Sequence, residues 1–264
     1  MSYIKYLKYF FIVLALIVYY GCESNDTATN SVYIPQPVNK KVLVEFFTNA
    51  GCNPCIAAHH YLDQLSANIG TTINDTSVII ISYHTKYPYI FDSLYRANIP
   101  HNQGRSDYYG INFTPQGRLD GNINMGQFSS ANWGALINAE FNTTAYLSIT
   151  LSNNFNSNTD SGTVTAEIAL LNVLPASDNV VHIIISENEV SYVTSPNGIT
   201  QPNDVMRFMV TGKEGEPVNI GQNVTVTKNY GLAQNWNTNK CYITFFVQST
   251  STKQVFGVER IKIN

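Results

Sequence analysis

Val42-Leu43-Val44-Glu45-Phe46-Phe47-Thr48-Asn49-Ala50-Gly51-Cys52-Asn53-Pro54-Cys55 decides how this chain is read. Its opening is short, mostly apolar and rich in β-branched and aromatic residues, which predicts a buried strand over Lys41 to Phe47. A Thr-Asn-Ala-Gly turn follows and ends at Cys52. Pro54 suits the first turn of a helix, where its missing N–H removes no bond. Ala58, Leu62, Leu65 and Ile69 recur at helical spacing and form one apolar face, with Gly70 as a stop. Ser77 to Tyr83 (SVIIISY) is a second run, apolar without alternation, as in a sheet covered on both faces. Strand, helix and strand on this scale make a right-handed βαβ unit.

The Cys-x-x-Cys pair sits where that unit turns from strand to helix. A thiolate, not a thiol, is the nucleophile in disulfide chemistry. A helix N-terminus carries about half a positive charge and stabilises a thiolate on Cys52. Cys55, three residues on, can close a disulfide and resolve a mixed intermediate. Cys52 is therefore the candidate attacking thiol and Cys55 the resolving one. A structural disulfide that staples the helix start is the alternative.

Outward from this unit, the amino terminus sets the compartment. Lys5 and Lys8 precede an apolar run from Tyr9 to Tyr20, and Gly21-Cys22 follows. This is a signal-peptide layout over residues 1–21, too short for a confident bilayer span. A small residue before a Cys resembles a bacterial lipobox, so Cys22 is expected to carry lipid, although Tyr19 stands where Leu is usual. The polar residues 22–39 form the lipid anchor and a flexible tether.

Downstream, a Tyr- and Pro-containing excursion spans His84 to Asn102 and a short helix is expected near Arg105 to Tyr109. Thr114-Pro115, a short strand and an Asp120-Gly121 turn come next, then a helix over Ser130 to Phe141. After Phe141 about seven runs read as strands, several with clean alternation, and no helix intervenes. They predict an all-β, immunoglobulin-like sandwich over 144–264, following an α/β domain over 40–143.

VLVEFFTNAGCNPC resembles the thioredoxin active-site segment, with Asn53 in place of Gly and Gly51 in place of Trp. Gly110-Ile111-Asn112-Phe113-Thr114-Pro115 resembles the segment ending in that family's cis-proline. The resemblance implies a thioredoxin-like fold for 40–143, a cis bond before Pro115, and a substrate-contacting backbone at Thr114. It also places Glu45 near the family's buried acid. Together with the lipoprotein signal, Ile81-Ser82-Tyr83-His84, Arg105-Ser-Asp-Tyr-Tyr-Gly and Asp204-Val-Met-Arg-Phe-Met-Val-Thr-Gly-Lys-Glu-Gly-Glu, it makes the chain similar to Omp28-related outer-membrane lipoproteins of Bacteroidetes. That likeness implies an outer-membrane location, on the periplasmic or the surface face.

Composition removes other classes. Of 264 residues 12% are charged and 44% hydrophobic, and the net charge of −3 gives no basic stripe for nucleic acid. No cofactor or resident metal is expected. A metal alternative would take Cys52, Cys55 and His59 as ligands, with His84 or His101 as a fourth. His84, at the end of the second strand, is a candidate substrate contact or a bonded loop histidine. Arg105 and Asp107 read as a surface pair or a fixed link near the proline loop, Cys241 as a small buried hydrophobe, and Tyr83 to Tyr95 as an interface surface or a sheet cover. Two functions follow. One is thiol–disulfide exchange on exported thiol- or disulfide-bearing proteins. The other is a non-catalytic lipoprotein that binds a surface ligand and keeps a static disulfide.

Overall fold

The structure, a computed structural model, describes residues 40–66 and 77–264. The expected signal peptide, the lipidated Cys22, the tether, Ile69 and Gly70 lie outside the described residues. Those described are mostly β-sheet with a few helices.

The βαβ unit is present. Strand β1 (Val42–Thr48) and strand β2 (Val78–His84) run parallel, from Val42 opposite Val78 to Thr48 opposite His84. Helix α1 (Cys55–Ser66) lies between them in sequence. Both strands are buried throughout, and side-chain alternation divides β1 between two cores. Val42, Val44 and Phe46 pack with Cys55, Ala58, Leu62 and Leu65 of α1 and with Trp133 and Ile137. Leu43 and Phe47 enter a core on the opposite face.

The expected excursion after His84 is more regular than its Tyr and Pro content suggested. It holds helix α2 (Ser93–Ala97), capped by Asp92, and most of the first turns of helix α3 (Ile99–Tyr109), capped by Asn98 with Pro100 in its first turn. Gly110, left-handed at φ 64°, ends α3. Strand β3 (Gln116–Leu119) pairs antiparallel with β1, and strand β4 (Ile123–Gln127) with β3. Their hairpin turns at Asp120 and Gly121, both at positive φ. Helix α4 (Ser130–Phe141) supplies Trp133 and Ile137 to the first core.

The strands after residue 144 divide. Strands β5 (Leu147–Asn156), β6 (Ser161–Leu170) and β10 (Asn223–Gly231) form a three-stranded antiparallel sheet in the order β10-β6-β5. Its inner residues, among them Ile149, Val164 and Ile168, pack on Ile183, Ile185, Phe245 and Val247. Those last residues belong to strands β7 (Asn179–Glu187) and β11 (Cys241–Ser249). With strands β8 (Val205–Met209) and β12 (Val255–Lys262), β7 and β11 extend the first sheet in the order β12-β11-β7-β8-β2-β1-β3-β4, while the short β9 (Glu216–Pro217) pairs with β7.

The expected boundary near residues 142–145 therefore does not separate two self-contained bodies. The described residues fall in one compact unit. The seam between β2 and β8 is narrow, with Ser82 opposite Val205 and Ser82 N–H donating to Asp204 O at 2.7 Å. What joins the halves is the second core, where Leu43, Phe47, Ile79, Ile81 and Tyr83 pack with Met206, Met209, Phe246, Val255 and Val258. Neither set of residues could bury its apolar surface without the other.

Candidate active site at the Cys52–Cys55 turn

Cys52 and Cys55 form a disulfide, with Cα atoms 5.3 Å apart, in the turn from β1 to α1. The helix begins at Cys55, one residue later than Pro54 predicted. Cys52 N–H donates to Asn49 O at 2.9 Å and Cys55 N–H to Cys52 O at 3.2 Å, which folds the pair tightly onto the strand end. Cys52 is 2% exposed and Cys55 fully buried.

The turn is clamped by the segment after β2. Asn49 Nδ2 donates to the carbonyls of Thr85 (2.7 Å) and Tyr89 (3.0 Å), while its Oδ1 accepts from Gly51 N–H and Tyr89 N–H. Asp92 Oδ2 accepts Ala50 N–H at 2.8 Å and meets His84 Nδ1 at 2.6 Å, and Oδ1 caps Leu94 N–H. Burial pushes the Asp92 carboxyl up, but His84 and the two amides outweigh it and hold the group below its ordinary range. Gly51 has a steric reason: a Cβ there would lie 2.4 Å from Tyr89 Cβ. The tryptophan that thioredoxins carry at this place has no room, because the 85–92 segment occupies it.

Two histidines lie behind the turn. His59, one helical turn beyond Cys55, is 5% exposed, stands edge-on to Phe46 and shares a 3.0 Å hydrogen bond with Thr48 Oγ1 through Nε2. Burial, with smaller effects from His84 and His60, lowers its pKa to about 3, so it is neutral. His84 is 3% exposed, and its Nε2 is buried without a protein partner. Direct contact between His84 and a substrate, one of the sequence expectations, therefore requires the overlying chain to move.

The Thr114–Pro115 peptide is cis, the isomer that the thioredoxin resemblance implies. Gln116 pairs with Phe47, so Pro115 comes just past the ladder, beside the end of β1 that leads into the cysteine turn. Pro115 is buried, Thr114 half-buried and Phe113 41% exposed.

Other expectations are corrected. Glu45 faces the second core, away from α1. Arg105 Nε and Nη2 donate to its two oxygens at 2.6 and 2.9 Å, and Tyr109 Oη–H donates at 2.5 Å. It does not serve as a buried acid beneath the disulfide, because strand alternation gives that side to Phe46. Arg105 is fully buried and spans from Glu45 to Gln248 Oε1 (2.8 Å), so it is no surface residue. Asp107 is exposed and bonds Gln103 instead. The residues of the metal alternative are engaged apart from one another: the thiols with each other, His59 with Thr48, His101 Nδ1 with Met209 N–H at 3.1 Å. Among the described residues no group of three or more His, Cys, Asp or Glu side chains is arranged to hold a metal. Cys241 is buried in the β7–β11 core, and burial with nearby Glu187 pushes its thiol up to about 12.

Sequence reasoning missed Asp92, Asn49 and Asn197. Asp92 before Ser93-Leu94 was legible as a helix cap, but not as the clamp of a turn 40 residues earlier. Asn197 donates its N–H to Ala50 O at 2.8 Å, and no local pattern marked it.

A family model described as "Outer membrane protein Omp28" matches residues 102–264. No curated protein matches the chain. HBP35 of Porphyromonas gingivalis is similar in structure, with TM-score 0.73 and 14% identity over 86% of this chain and 76% of that one. A protein of Agrobacterium tumefaciens gives TM-score 0.56 and 16% identity over 87% of this chain and 97% of its own. At these identities the likeness concerns the fold. Among the described residues no helix is long and apolar enough to cross a membrane.

Proposed function

The chain belongs to the Omp28 outer-membrane protein family, and from that premise we propose that it is a lipid-anchored envelope protein whose thioredoxin-like half exchanges thiols and disulfides with exported proteins. The single observation that carries this reading is the Cys52–Cys55 disulfide in the β1–α1 turn, beside the cis Thr114–Pro115 peptide that leads into β3. The strand order β2-β1-β3-β4, with β3 antiparallel, supports a thioredoxin-like arrangement. Cys22 carries the lipid and the membrane is reached through it.

In the reducing direction the Cys52 thiolate attacks one sulfur of a substrate disulfide. A mixed disulfide forms and the other substrate sulfur leaves as a thiolate, which takes a proton. The Cys55 thiolate then attacks Cys52 Sγ, closes the Cys52–Cys55 bond and releases the second substrate thiol. The substrate gains two electrons and two protons, the protein pair loses them, and a dithiol partner must restore the pair. The reverse sequence oxidises a substrate dithiol. Thr114 and Pro115 would shape the place where the substrate chain lies.

The reduction potential and the turnover of insulin or a scrambled disulfide protein test the proposal. A potential between about −120 and −270 mV, with turnover lost in Cys52→Ser, is the expected result, whereas one below about −300 mV without turnover overturns it. The 2% exposure of Cys52 favours a second reading, a static bridge in a lipoprotein that binds a surface ligand. The same two measurements separate the readings.

A further inference from the structure

Residues 188–204 connect β7 to β8, and the connection is long for a compact fold. Its limbs pair through Val190 N–H to Pro202 O (3.1 Å) and Tyr192 N–H to Thr200 O (2.8 Å), so it is a flap and not a slack loop. Its base is pinned by Glu189 N–H to Asn203 Oδ1 and Asp204 N–H to Asn188 Oδ1. Val190 and Tyr192 pack with Ala50, Leu94 and Val205. Tyr192 Oη accepts Ser93 N–H at 3.1 Å.

The tip lies on the cysteine turn. Asn197 donates from its backbone to Ala50 O at 2.8 Å, and from Nδ2 to Asn49 O at 3.4 Å and Cys52 O at 3.3 Å. Its Oδ1 accepts from Ser195 Oγ and Ile199 N–H, which fixes the tip's own turn. Between the flap and the two histidines His59 and His84 remains a cavity of about 10 Å³, no larger than one water requires. Asn197 thus bonds the carbonyl of Cys52 itself, the residue whose sulfur must meet a partner. The tip itself buries little: Val193 is 80% exposed, and Thr194 and Pro196 are exposed. Two of its three bonds to the turn are long. Few buried apolar contacts and long hydrogen bonds mark a segment of low local stability.

We infer that the 188–204 flap is a gate over Cys52, held shut by Asn197, and that the disulfide can be reached only when the flap tip lifts. This rests on the exchange reading of the site and adds its regulation. A redox pair whose Cys52 is 2% exposed needs such an opening before it can be used. A partner chain would have to displace Asn197 from the three carbonyls, and a small thiol would wait for spontaneous opening.

The test follows the opening of the Cys52–Cys55 bond by dithiothreitol in the folded full chain, read by mass after alkylation. In the wild type the rate should level off as dithiothreitol rises, because lifting of the tip becomes limiting. Asn197→Ala removes the two Nδ2 bonds and should raise that plateau about tenfold. A second variant, with Thr194 to Gly198 replaced by a two-residue turn, should be faster again, and a melting curve for each variant establishes that the body stays folded. Rates that stay linear in dithiothreitol and are equal in all three proteins overturn the gate. Insulin turnover keeps the two ideas apart. Faster opening without turnover leaves the gate standing and removes the exchange reading, while turnover with unchanged opening rates does the reverse.

Discussion

Arg105→Leu tests how the two halves of the sheet are held together. The guanidinium is fully buried and makes two hydrogen bonds to Glu45 and one to Gln248, on β1 and β11. It also lies over the rings of Tyr108, Tyr109 and Phe246 at 4.8 to 5.5 Å. Burial works against the Arg105 charge, but Glu45 beside it more than offsets this and keeps the group protonated. Leucine fills part of the space and leaves Glu45, itself fully buried, with Tyr109 as its remaining donor. Removing one partner of a buried pair costs about 3–5 kcal/mol, most of it the penalty of the stranded charge. A stranded carboxylate in an apolar core takes up a proton, so the deficit should be smaller at pH 4 than at pH 7. Glu45→Leu with Arg105→Leu removes both charges and should be less destabilised at pH 7 than Arg105→Leu alone. The assay is urea unfolding followed by tryptophan fluorescence. Trp133 lies in the α1–α4 core and Trp236 packs against the core between the β5–β6–β10 sheet and strands β7 and β11, so Trp133→Phe and Trp236→Phe give a reporter for each half. Both reporters should shift together by the same amount. A loss under about 1 kcal/mol, a deficit independent of pH, or a shift confined to Trp133 would refute the reasoning.

Four further outcomes are expected. His59 takes no proton in the folded state until about pH 3, against 6.5 when exposed. Its share of stability is intact above pH 6.5 and is lost as pH falls, reaching about 2 kcal/mol at pH 5; His59→Gln should reduce the proton uptake on unfolding by one, while His182, also depressed by burial, keeps part of the slope. Gly121→Ala would put a Cβ 2.0 Å from Lys253 O at a φ of 75°, costing about 2–4 kcal/mol in thermal denaturation. Gly51→Trp, which would put even its Cβ 2.4 Å from Tyr89 Cβ, should displace the 85–92 segment, read as faster amide exchange at Tyr89 and Asp92. Cys241 should resist iodoacetamide at pH 8 in the native protein and react at once in denaturant, because burial holds its thiol up at about 12.

The local unit was legible because its signals are local. β1 read as a buried strand from its apolar, β-branched run, β2 as one covered on both faces from its continuous apolar run, and the CxxC turn from its place between strand and helix. Glu45 was placed only by resemblance, near a family's buried acid; its partner Arg105 is 60 residues away and no spacing rule connects them. The shared second core was missed for a different reason. Alternation in β5 and β6 correctly marks one wet face, and that pattern was extended to β7 and β11. Yet VVHIIIS and ITFFV are mostly apolar without alternation, the same signature that identified β2, and both strands are buried almost throughout. Length of run, not alternation, was the signal that they belong to the same sheet as β1. The Asp92 clamp and the Asn197 tip depend on how distant loops meet, which the order of residues does not display.

The shared core also fixes an order of events during synthesis. The ribosome delivers the cysteine pair near residue 50 early, yet Leu43, Phe47, Ile79 and Ile81 find their cover only when Phe246, Val255 and Val258 have been made. For most of its translation this polypeptide carries an oxidisable thiol pair on an unfinished, sticky body. Whatever holds nascent chains in solution must attend it until Phe246, Val255 and Val258 have emerged.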